Sequence, residues 1–321
     1  MSASSTSGTL GTSGTPGTLA SLALLCLVGA ASIGMAQEPE PIFRSESDLV
    51  VLHVNVLDGR SDAVPGLTQD AFRIVENDRP QQITFFTAAD LPVAAGLILD
   101  SSSSMIARHR MVTDGARAFM EASHPEDELF TLHFNEYLEF GLPPALAFTS
   151  RLPILQAALA RYRAGGKTAL HDAVIAGLDH LERARHDKRV LVVLSDGKDN
   201  ASRSTERMMV ERAERSRAIV YAVSNGHPRY GTAGDPAVLR RLVRTTGGVA
   251  YFPDSEARAI ESFEVIATNI RRGYTIGYTP TDPHHDGSFR RVKVTVDAPG
   301  RRNLRVHSRP GYWTPHHADA R

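Results

Sequence analysis

Two apolar runs in this sequence each lead into an aspartate, and hydroxyl-bearing residues accompany both of them. In GLILDSSSSMIAR the run stops at Asp100, and Ser102 and Ser104 follow at alternate positions. In RVLVVLSDG a similar run reaches Asp196. Between these motifs, GGKTALHDA offers the hydroxyl of Thr168 just before a predicted helix. Carboxylates and hydroxyls from separate loops would together form an oxygen-only cation site.

Oxygen ligands of this kind select a hard divalent cation rather than zinc or copper. Mg²⁺ is the expected ion, with Mn²⁺ and Ca²⁺ as alternatives. The carboxylates of Asp100 and Asp196 neutralise such an ion formally, whereas neutral hydroxyls leave it electrophilic. If some ligands act through water, one coordination position stays open, and a carboxylate there would gain a charge-assisted bond. The predicted partner is therefore a protein that donates an Asp or Glu side chain.

Helices and strands alternate from about residue 91 onward. If the three motifs form one site, the fold built from these elements must place them close together. VAAGLIL and RVLVVLS are continuous apolar runs, which are typical of strands covered on both faces. MVTDGARAFMEAS places Val112, Ala116 and Phe119 on one helical stripe. This alternation predicts an α/β fold with a doubly wound, mostly parallel sheet. Because ligands bind at the carboxyl ends of parallel strands, we expect Asp100 and Asp196 to meet there.

The two flanks of the α/β region are rich in β patterns. DLVVLHVNVLDG alternates around Val51, His53, Asn55 and Leu57, and AFRIVENDRPQQITFF reads as two further strands around a polar turn. YTIGYTP, FRRVKVTVDA and NLRVHSRPGYW alternate in the same way near the other end of the chain. Each flank alone has too few residues to form a stable hydrophobic core, so we expect the two flanks to share one small β-sandwich.

The N-terminal segment has the pattern of a secretory signal. LASLALLCLV is followed by small residues that end in GMA at Ala36, although no Lys or Arg precedes the apolar run. A later true start codon and an uncleaved membrane anchor are the alternatives. The only cysteine, Cys26, lies in this segment, so the mature chain would have no disulfide and no thiolate metal site. We expect a secreted, periplasmic or cell-envelope location.

These patterns divide the chain into five parts. They are a signal peptide, residues 1–36; an N-terminal β segment, 37–90; the α/β domain, 91–272; a C-terminal β segment, 273–315; and a disordered tail, 316–321. The 36 basic and 36 acidic side chains balance, which gives no broad electrostatic reason to expect nucleic acid as a partner.

The pattern D-x-S-x-S, a later threonine and an aspartate in [ST]DG occur here in the order found in a known family. They resemble the metal-ion-dependent adhesion site of the von Willebrand factor A domain, over roughly residues 91 to 270. The flanking GLTQDAFRIVENDRPQQI and YTIGYTP resemble the bacterial, acidobacterial-type secreted VWFA-related proteins. The resemblance implies a cation-binding α/β domain that serves protein interaction in the cell envelope. Its ligands would be Asp100, Ser102, Ser104, Thr168 and Asp196.

Simpler interpretations exist for each motif taken alone. Asp100 and its serines would serve as a helix cap, Thr168 as another cap, and Asp196 as a turn residue. Asp172 and Asp199 lie close to the same loops and are interpreted as neighbouring or solvated groups, not as ligands. The coincidence of three separated motifs in order favours the metal site.

Several enzymatic interpretations fail on particular residues. AGGKTAL lacks the first glycine of a phosphate-binding loop, because Arg161 stands there. A haloacid-dehalogenase-like aspartyl phosphatase would need a second aspartate at Ser102, and no G-x-S-x-G nucleophile elbow is present. We therefore predict a non-enzymatic binding protein. A structural envelope protein with a stabilising cation and a metal-dependent hydrolase that uses His171 as its base remain as alternatives.

Overall fold

A computed structural model of the protein describes residues 49–224, 234–284 and 286–315. The predicted signal peptide and the predicted C-terminal tail lie outside the described residues. The strands are, in chain order, β1 (Val50–Leu57), β2 (Phe72–Glu76), β3 (Arg79–Gln81), β4 (Ile83–Thr87), β5 (Ala94–Asp100), β6 (Glu128–Phe134), β7 (Leu138–Phe140), β8 (Arg189–Ser195), β9 (Ile219–Ser224), β10 (Ala250–Tyr251), β11 (Tyr274–Tyr278), β12 (Phe289–Val296), β13 (Arg305–His307) and β14 (Gly311–Trp313).

The α-helices follow the strands of the α/β region. They are α1 (His109–Ala122), α2 (Leu152–Leu159), α3 (Leu170–Leu181), α4 (Glu206–Arg215), α5 (Pro236–Thr246) and α6 (Glu256–Arg271). Side-chain oxygens of Thr205, Asp235 and Ser255 accept backbone N–H groups at the starts of α4, α5 and α6. Short 3₁₀ helices span Gln69–Ala71 and Ser103–Arg108.

A six-stranded sheet forms the centre of the α/β domain, in the order β10-β9-β8-β5-β6-β7. All neighbouring strands in it are parallel except the edge pair β6 and β7. Every residue of β5, β6 and β9 is buried, as the continuous apolar runs predict. On α1, the predicted stripe of Val112, Ala116 and Phe119 is buried. The doubly wound, mostly parallel fold is confirmed.

The chain flanks pair with each other in two four-stranded antiparallel sheets. One has the order β13-β1-β11-β4 and the other β14-β12-β2-β3, so each combines strands from before and after the α/β region. Phe72 and Ile74 of one sheet pack with Leu52, Tyr274 and Ile276 of the other in a single apolar core. The expected shared β-sandwich is confirmed.

Two details of the flanks differ from the sequence pattern. The polar turn at Asn77 and Asp78 has positive φ angles, and three short strands rather than two surround it. On β1, the sandwich core receives Leu52, Val54 and Val56, whereas Val51 is 42% exposed. The alternation thus identifies a strand, but a period of two cannot tell which face has a partner.

No helix within the described ranges is long and apolar enough to cross a membrane.

Candidate metal centre

The central strands β5 and β8 carry the two predicted aspartates to the same edge of the sheet. Asp100 is the last residue of β5, and Asp196 directly follows Ser195, the last residue of β8. The two strands are parallel neighbours, and β6 lies on the other side of β5. The chain therefore reverses its winding direction at β5, and such a switch point opens a crevice at the carboxyl ends of the strands.

The first loop folds back on its own aspartate. The Asp100 Oδ1 atom accepts the backbone N–H of Ser102 at 2.9 Å, and the hydroxyl oxygens of Ser102 and Ser104 lie 3.1 Å apart. Ser102 precedes the 3₁₀ helix Ser103–Arg108, but its side chain makes no capping hydrogen bond. The capping interpretation of these serines therefore has no support in the observed contacts.

The carboxylate of Asp100 is buried close enough to Asp196 to feel its charge. Burial raises the pKa of Asp100, and the negative charge of Asp196 acts in the same direction. Hydrogen bonds from Ser102 and Ser195 oppose this rise in pKa. Asp100 is fully buried and Asp196 is 6% exposed. A cation held between two such carboxylates would relieve their repulsion and their loss of solvation.

Backbone hydrogen bonds connect the Thr168 loop to both aspartate loops. The Gly166 carbonyl oxygen accepts the backbone N–H of Ser103 at 3.1 Å and its hydroxyl at 2.9 Å. On the other side, the Thr168 N–H donates to Oδ1 of Asn200 at 2.8 Å, and the Thr168 carbonyl accepts the N–H groups of Asn200 and Ala201. The three predicted loops therefore form one connected cluster at the sheet edge.

The Thr168 side chain is not used to begin the next helix. Ala169 stands at the N-cap of α3, without a capping side chain. Thr168 is 7% exposed, and among the described residues its hydroxyl forms no hydrogen bond. A hydroxyl that no hydrogen bond occupies is available as a ligand, which fits the predicted role of Thr168.

Gly166 meets a steric requirement in this loop. Its φ of +87° lies in the left-handed region, and a Cβ there would collide with the carboxylate of Glu136. Glu136 in turn accepts the backbone N–H of Lys167 at 2.7 Å. The glycine therefore lets the loop approach the segment after β6 closely enough to be held there.

Supporting residues that the sequence prediction missed surround Asp100. The buried Ser195 hydroxyl donates to Asp100 Oδ2 at 2.9 Å and accepts the N–H of Gly197 at 3.2 Å. The buried Tyr162 hydroxyl donates to the Asp100 carbonyl oxygen at 2.5 Å. Ser195 stands inside the quoted SDG motif, so its position next to Asp196 was an available signal. Nothing in the sequence identifies Tyr162.

Asp172 and Asp199 bind the backbone of facing loops rather than pointing into solution. Asp172 accepts the N–H groups of Arg203 and Ser204 at 2.8 and 2.9 Å. Asp199 accepts the His171 N–H at 2.9 Å and the Ser202 hydroxyl at 2.5 Å. Both carboxylates therefore hold the Thr168 and Asp196 loops together, which agrees with their interpretation as neighbours of the site.

In residues 49–224, 234–284 and 286–315, no three His, Cys, Asp or Glu side chains form a group that could hold a metal ion. The candidate centre is of a different kind, since it combines Asp100 and Asp196 with hydroxyls of Ser102, Ser104 and Thr168. This donor set fits a hard cation such as Mg²⁺.

Comparison with known proteins agrees with the fold and with the motif positions. A sequence model of the von Willebrand factor type A domain matches residues 96–198, about a third of the chain. A structure described as von Willebrand factor type A from Catenulispora acidiphila is similar with a TM-score of 0.51 and 13% identity, covering 85% of this chain and 75% of that one. No curated protein sequence matches the chain.

Two further structures are similar to a lower degree. They are the PilB minor pilin from Streptococcus sanguinis, with a TM-score of 0.45, 12% identity and coverage of 58% of this chain and 63% of that one, and proximal thread matrix protein 1 from the mussel byssus, with a TM-score of 0.47, 13% identity and coverage of 57% and 48%. With TM-scores this low, neither structure bears on function.

The doubly wound domain, with carboxylates and hydroxyls at its sheet edge, defines an α/β protein with a candidate cation site. Residues 96–198 of this domain match the von Willebrand factor type A domain, and the fold agrees with that match. The assignment supports a protein-interaction module. The narrower resemblance to bacterial VWFA-related proteins stays a prediction.

Proposed function

We propose that this protein is a divalent-cation-dependent binding module that captures a carboxylate of a partner protein. The observation that carries the proposal is the closeness of two buried carboxylates, Asp100 and Asp196, whose mutual repulsion a cation would relieve. The adjoining hydroxyls of Ser102 and Ser104 are 3.1 Å apart and belong to the same loop as Asp100. The family match supports an interaction role.

Each residue has a distinct task in this proposal. Asp100 and Asp196 would hold the ion by charge, and the hydroxyls of Ser102, Ser104 and Thr168 would complete its oxygen shell without adding negative charge. Mg²⁺, the expected ion, would supply an electrophilic centre for one further carboxylate. Ser195 would fix the orientation of Asp100 through its hydrogen bond at 2.9 Å.

The proposed location is the cell envelope or the secreted fraction. The apolar segment LASLALLCLV before Ala36 supports export. A carboxylate-capturing module exposed outside the cytoplasm would meet other envelope proteins as its partners.

A hydrolase would need a general base beside the ion, and in the described part of the chain His171 forms no hydrogen bond with a candidate ligand. Its Nδ1 atom lies 3.2 Å from the Ser204 carbonyl oxygen and 3.4 Å from a carboxylate oxygen of Asp199. These contacts fix the ring against the loop that follows β8. We therefore retain the non-enzymatic proposal.

The test is capture by the immobilised full chain from an envelope fraction, with Mg²⁺ or with EDTA. We expect a captured protein that disappears with EDTA, with Asp100→Ala and with Thr168→Ala. Asp114→Ala and Thr113→Ala, at partly exposed positions of α1, are matched controls and should capture normally. Blocking carboxylates of the envelope fraction with a carbodiimide and an amine should also abolish capture.

Two outcomes would contradict the proposal. Capture that is equal in Mg²⁺ and in EDTA would mean that the ion has no part in binding. Capture that survives carboxylate blocking would mean that the partner does not bind through an Asp or Glu side chain. Metal-dependent stability without any carboxylate-dependent capture would leave a structural cation.

A further inference from the structure

A groove of about 500 Å³ lies along helix α5, and none of its lining residues is a candidate metal ligand. Its lining residues are Ala237, Arg240, Arg241, Arg244, Thr245 and Pro310. The first five recur on one stripe of the helix at the spacing of successive turns, and the opposite stripe is buried in the domain core. Pro310 comes from the C-terminal β segment and forms the facing wall.

The walls of the groove are held in place by backbone contacts. Gly247 ends α5 with a φ of +81°, and a Cβ there would collide with the backbone of Ser308 and Arg309. The Pro310 carbonyl oxygen accepts the N–H of Val292 at 2.7 Å. Arg309 donates to the Ser216 carbonyl oxygen at 2.7 Å. The groove is therefore a fixed feature of the fold.

The charge of the groove is strongly positive. Of its three arginines, Arg241 pairs with Glu206, whereas Arg240 and Arg244 form no ion pair with any residue in the described ranges. The Arg240 guanidinium instead stacks over the Phe252 ring, 4.2 Å from its centroid. Arg309 precedes Pro310 in the chain; burial and then the charge of Arg217 lower its pKa, and the charge of Glu214 opposes this change. The groove lining therefore carries three positive charges and no negative one.

We infer that this groove binds a small, multiply charged oxyanion, such as a phosphate compound or a polycarboxylate. Planar guanidinium groups bind carboxylate and phosphate oxygens through paired hydrogen bonds. Arg240 and Arg244 are four residues apart on α5, so they are one turn apart and can bind one ligand together.

Isothermal titration of the full chain with sodium pyrophosphate, and separately with citrate, tests this inference. The protein is stripped of metal ions, dialysed and studied at low ionic strength, where charge interactions are least screened. We expect saturable binding that weakens as sodium chloride is added. If only pyrophosphate binds saturably, the ligand is a phosphate compound. If only citrate does, the ligand is a polycarboxylate. If both bind, the site accepts oxyanions in general.

The decisive variant is Arg240→Gln/Arg244→Gln, which keeps good helix formers at exposed positions. Loss of two charge-assisted contacts should raise Kd by more than about tenfold. Arg258→Gln, an equally exposed arginine on α6, is the matched control and should leave Kd unchanged. Asp100→Ala should also bind normally, because the groove does not use the metal ligands.

The inference would be overturned if neither pyrophosphate nor citrate bound saturably. Equal Kd values for the double variant and for Arg258→Gln would overturn it too. The same holds if a folded Asp100→Ala variant no longer binds the anion, since the anion would then bind at the metal centre.

Discussion

At the residue scale, Ser195 links the two aspartates of the candidate centre. It precedes Asp196 in the chain, and its hydroxyl donates to Asp100 Oδ2 at 2.9 Å while accepting the Gly197 N–H at 3.2 Å. The side chain is fully buried, so neither hydrogen bond is replaced by water if it is removed. Ser195 therefore orients Asp100 without being a ligand itself.

Ser195→Ala should weaken Mg²⁺ binding by about tenfold or more, as loss of a group that orients a ligand usually does. It should also lower the free energy of unfolding without metal by about 1 to 3 kcal/mol, because Asp100 loses a donor. Isothermal titration and urea unfolding measure the two effects. Ser195→Thr keeps the hydroxyl and should retain most of the affinity, whereas unchanged affinity in Ser195→Ala would refute the positioning role.

His133 is a second buried residue with a measurable consequence. It is 3% exposed on β6, and neither ring nitrogen has a hydrogen-bond partner in the described part of the chain. Burial, followed by the charge of Arg161, lowers its pKa to about 4. Burial and nearby cations similarly lower the pKa of His53 to about 3. Both imidazoles therefore stay neutral in the folded protein and gain a proton on unfolding in mild acid.

The free energy of unfolding should fall as pH drops from about 6.5 towards 4, because only the unfolded chain binds these protons there. His133 alone would contribute about 3 kcal/mol across that window. His133→Phe should make the free energy of unfolding less dependent on pH. Part of the dependence should remain, because His53 still gains a proton on unfolding. Urea unfolding at several pH values measures this, with His284→Phe at an exposed site as control. An unchanged slope in His133→Phe would contradict the assignment.

The sequence predicts the positions of the two aspartates better than it predicts the groups that hold them. Asp100 and Asp196 were placed by the rule that parallel strands end at a common edge, and both do end there. Tyr162 and Asn200 reach the same loops through tertiary contacts at long sequence separation. Periodicity and motif spacing carry no information about such contacts.

At the element scale, the sandwich holds a buried ion pair that joins the two chain flanks. Glu76 of β2 accepts Nη1 of Arg290 on β12 at 3.1 Å, and the Tyr278 and Tyr312 hydroxyls donate to it at 2.6 and 2.8 Å. The side chains of Glu76 and Arg290 are 2% and 3% exposed. Within the described residues, every side-chain donor to the Glu76 carboxylate comes from the C-terminal flank.

Glu76→Leu should lower the free energy of unfolding by about 3 to 5 kcal/mol, because Arg290 would remain buried without its carboxylate. Glu76→Leu/Arg290→Met removes both charges and should recover part of that loss. Thermal or urea unfolding measures both variants. A single substitution that changes stability by less than about 1 kcal/mol would show that the pair matters little to the fold.

The sequence predicts which segments of the flanks form strands, but it does not predict which strands pair with each other. The alternation in β1, β11 and β12 identifies each as a strand, and the shortage of core in each flank predicts that they combine. The assignment of β1 and β4 to one sheet and β2 and β3 to the other depends on tertiary packing. The alternation of apolar and polar residues does not determine which strands pair with each other.

At the scale of the whole molecule, buried amides connect the sandwich with the α/β domain. Asn55 of β1 donates to the Tyr221 hydroxyl on β9 at 2.5 Å. Asn269 of α6 donates to the Tyr251 hydroxyl at 3.0 Å and to the Ser61 carbonyl oxygen at 3.3 Å. Helix α6 ends at Arg271 and β11 begins at Tyr274, so the connection between the two cores is short.

These contacts predict that both cores unfold in one transition. Calorimetry should give equal calorimetric and van't Hoff enthalpies. Asn55→Ala should shift that single transition to lower temperature by leaving the buried Tyr221 hydroxyl without a partner, a loss of about 1 to 3 kcal/mol. Two resolved transitions in the unmodified protein would contradict this coupling.

The cation site is tested most directly by thermal unfolding of the full chain with Mg²⁺ and with EDTA. At a hundredfold excess of Mg²⁺ over its Kd, the account predicts stabilisation by about 2.7 kcal/mol and a Tm higher by roughly 5 to 11 °C. Asp100→Ala and Thr168→Ala should lose that shift, whereas Asp114→Ala should keep it. A Tm that is the same with Mg²⁺, Mn²⁺, Ca²⁺ and EDTA would contradict the cation site on which the proposed function depends.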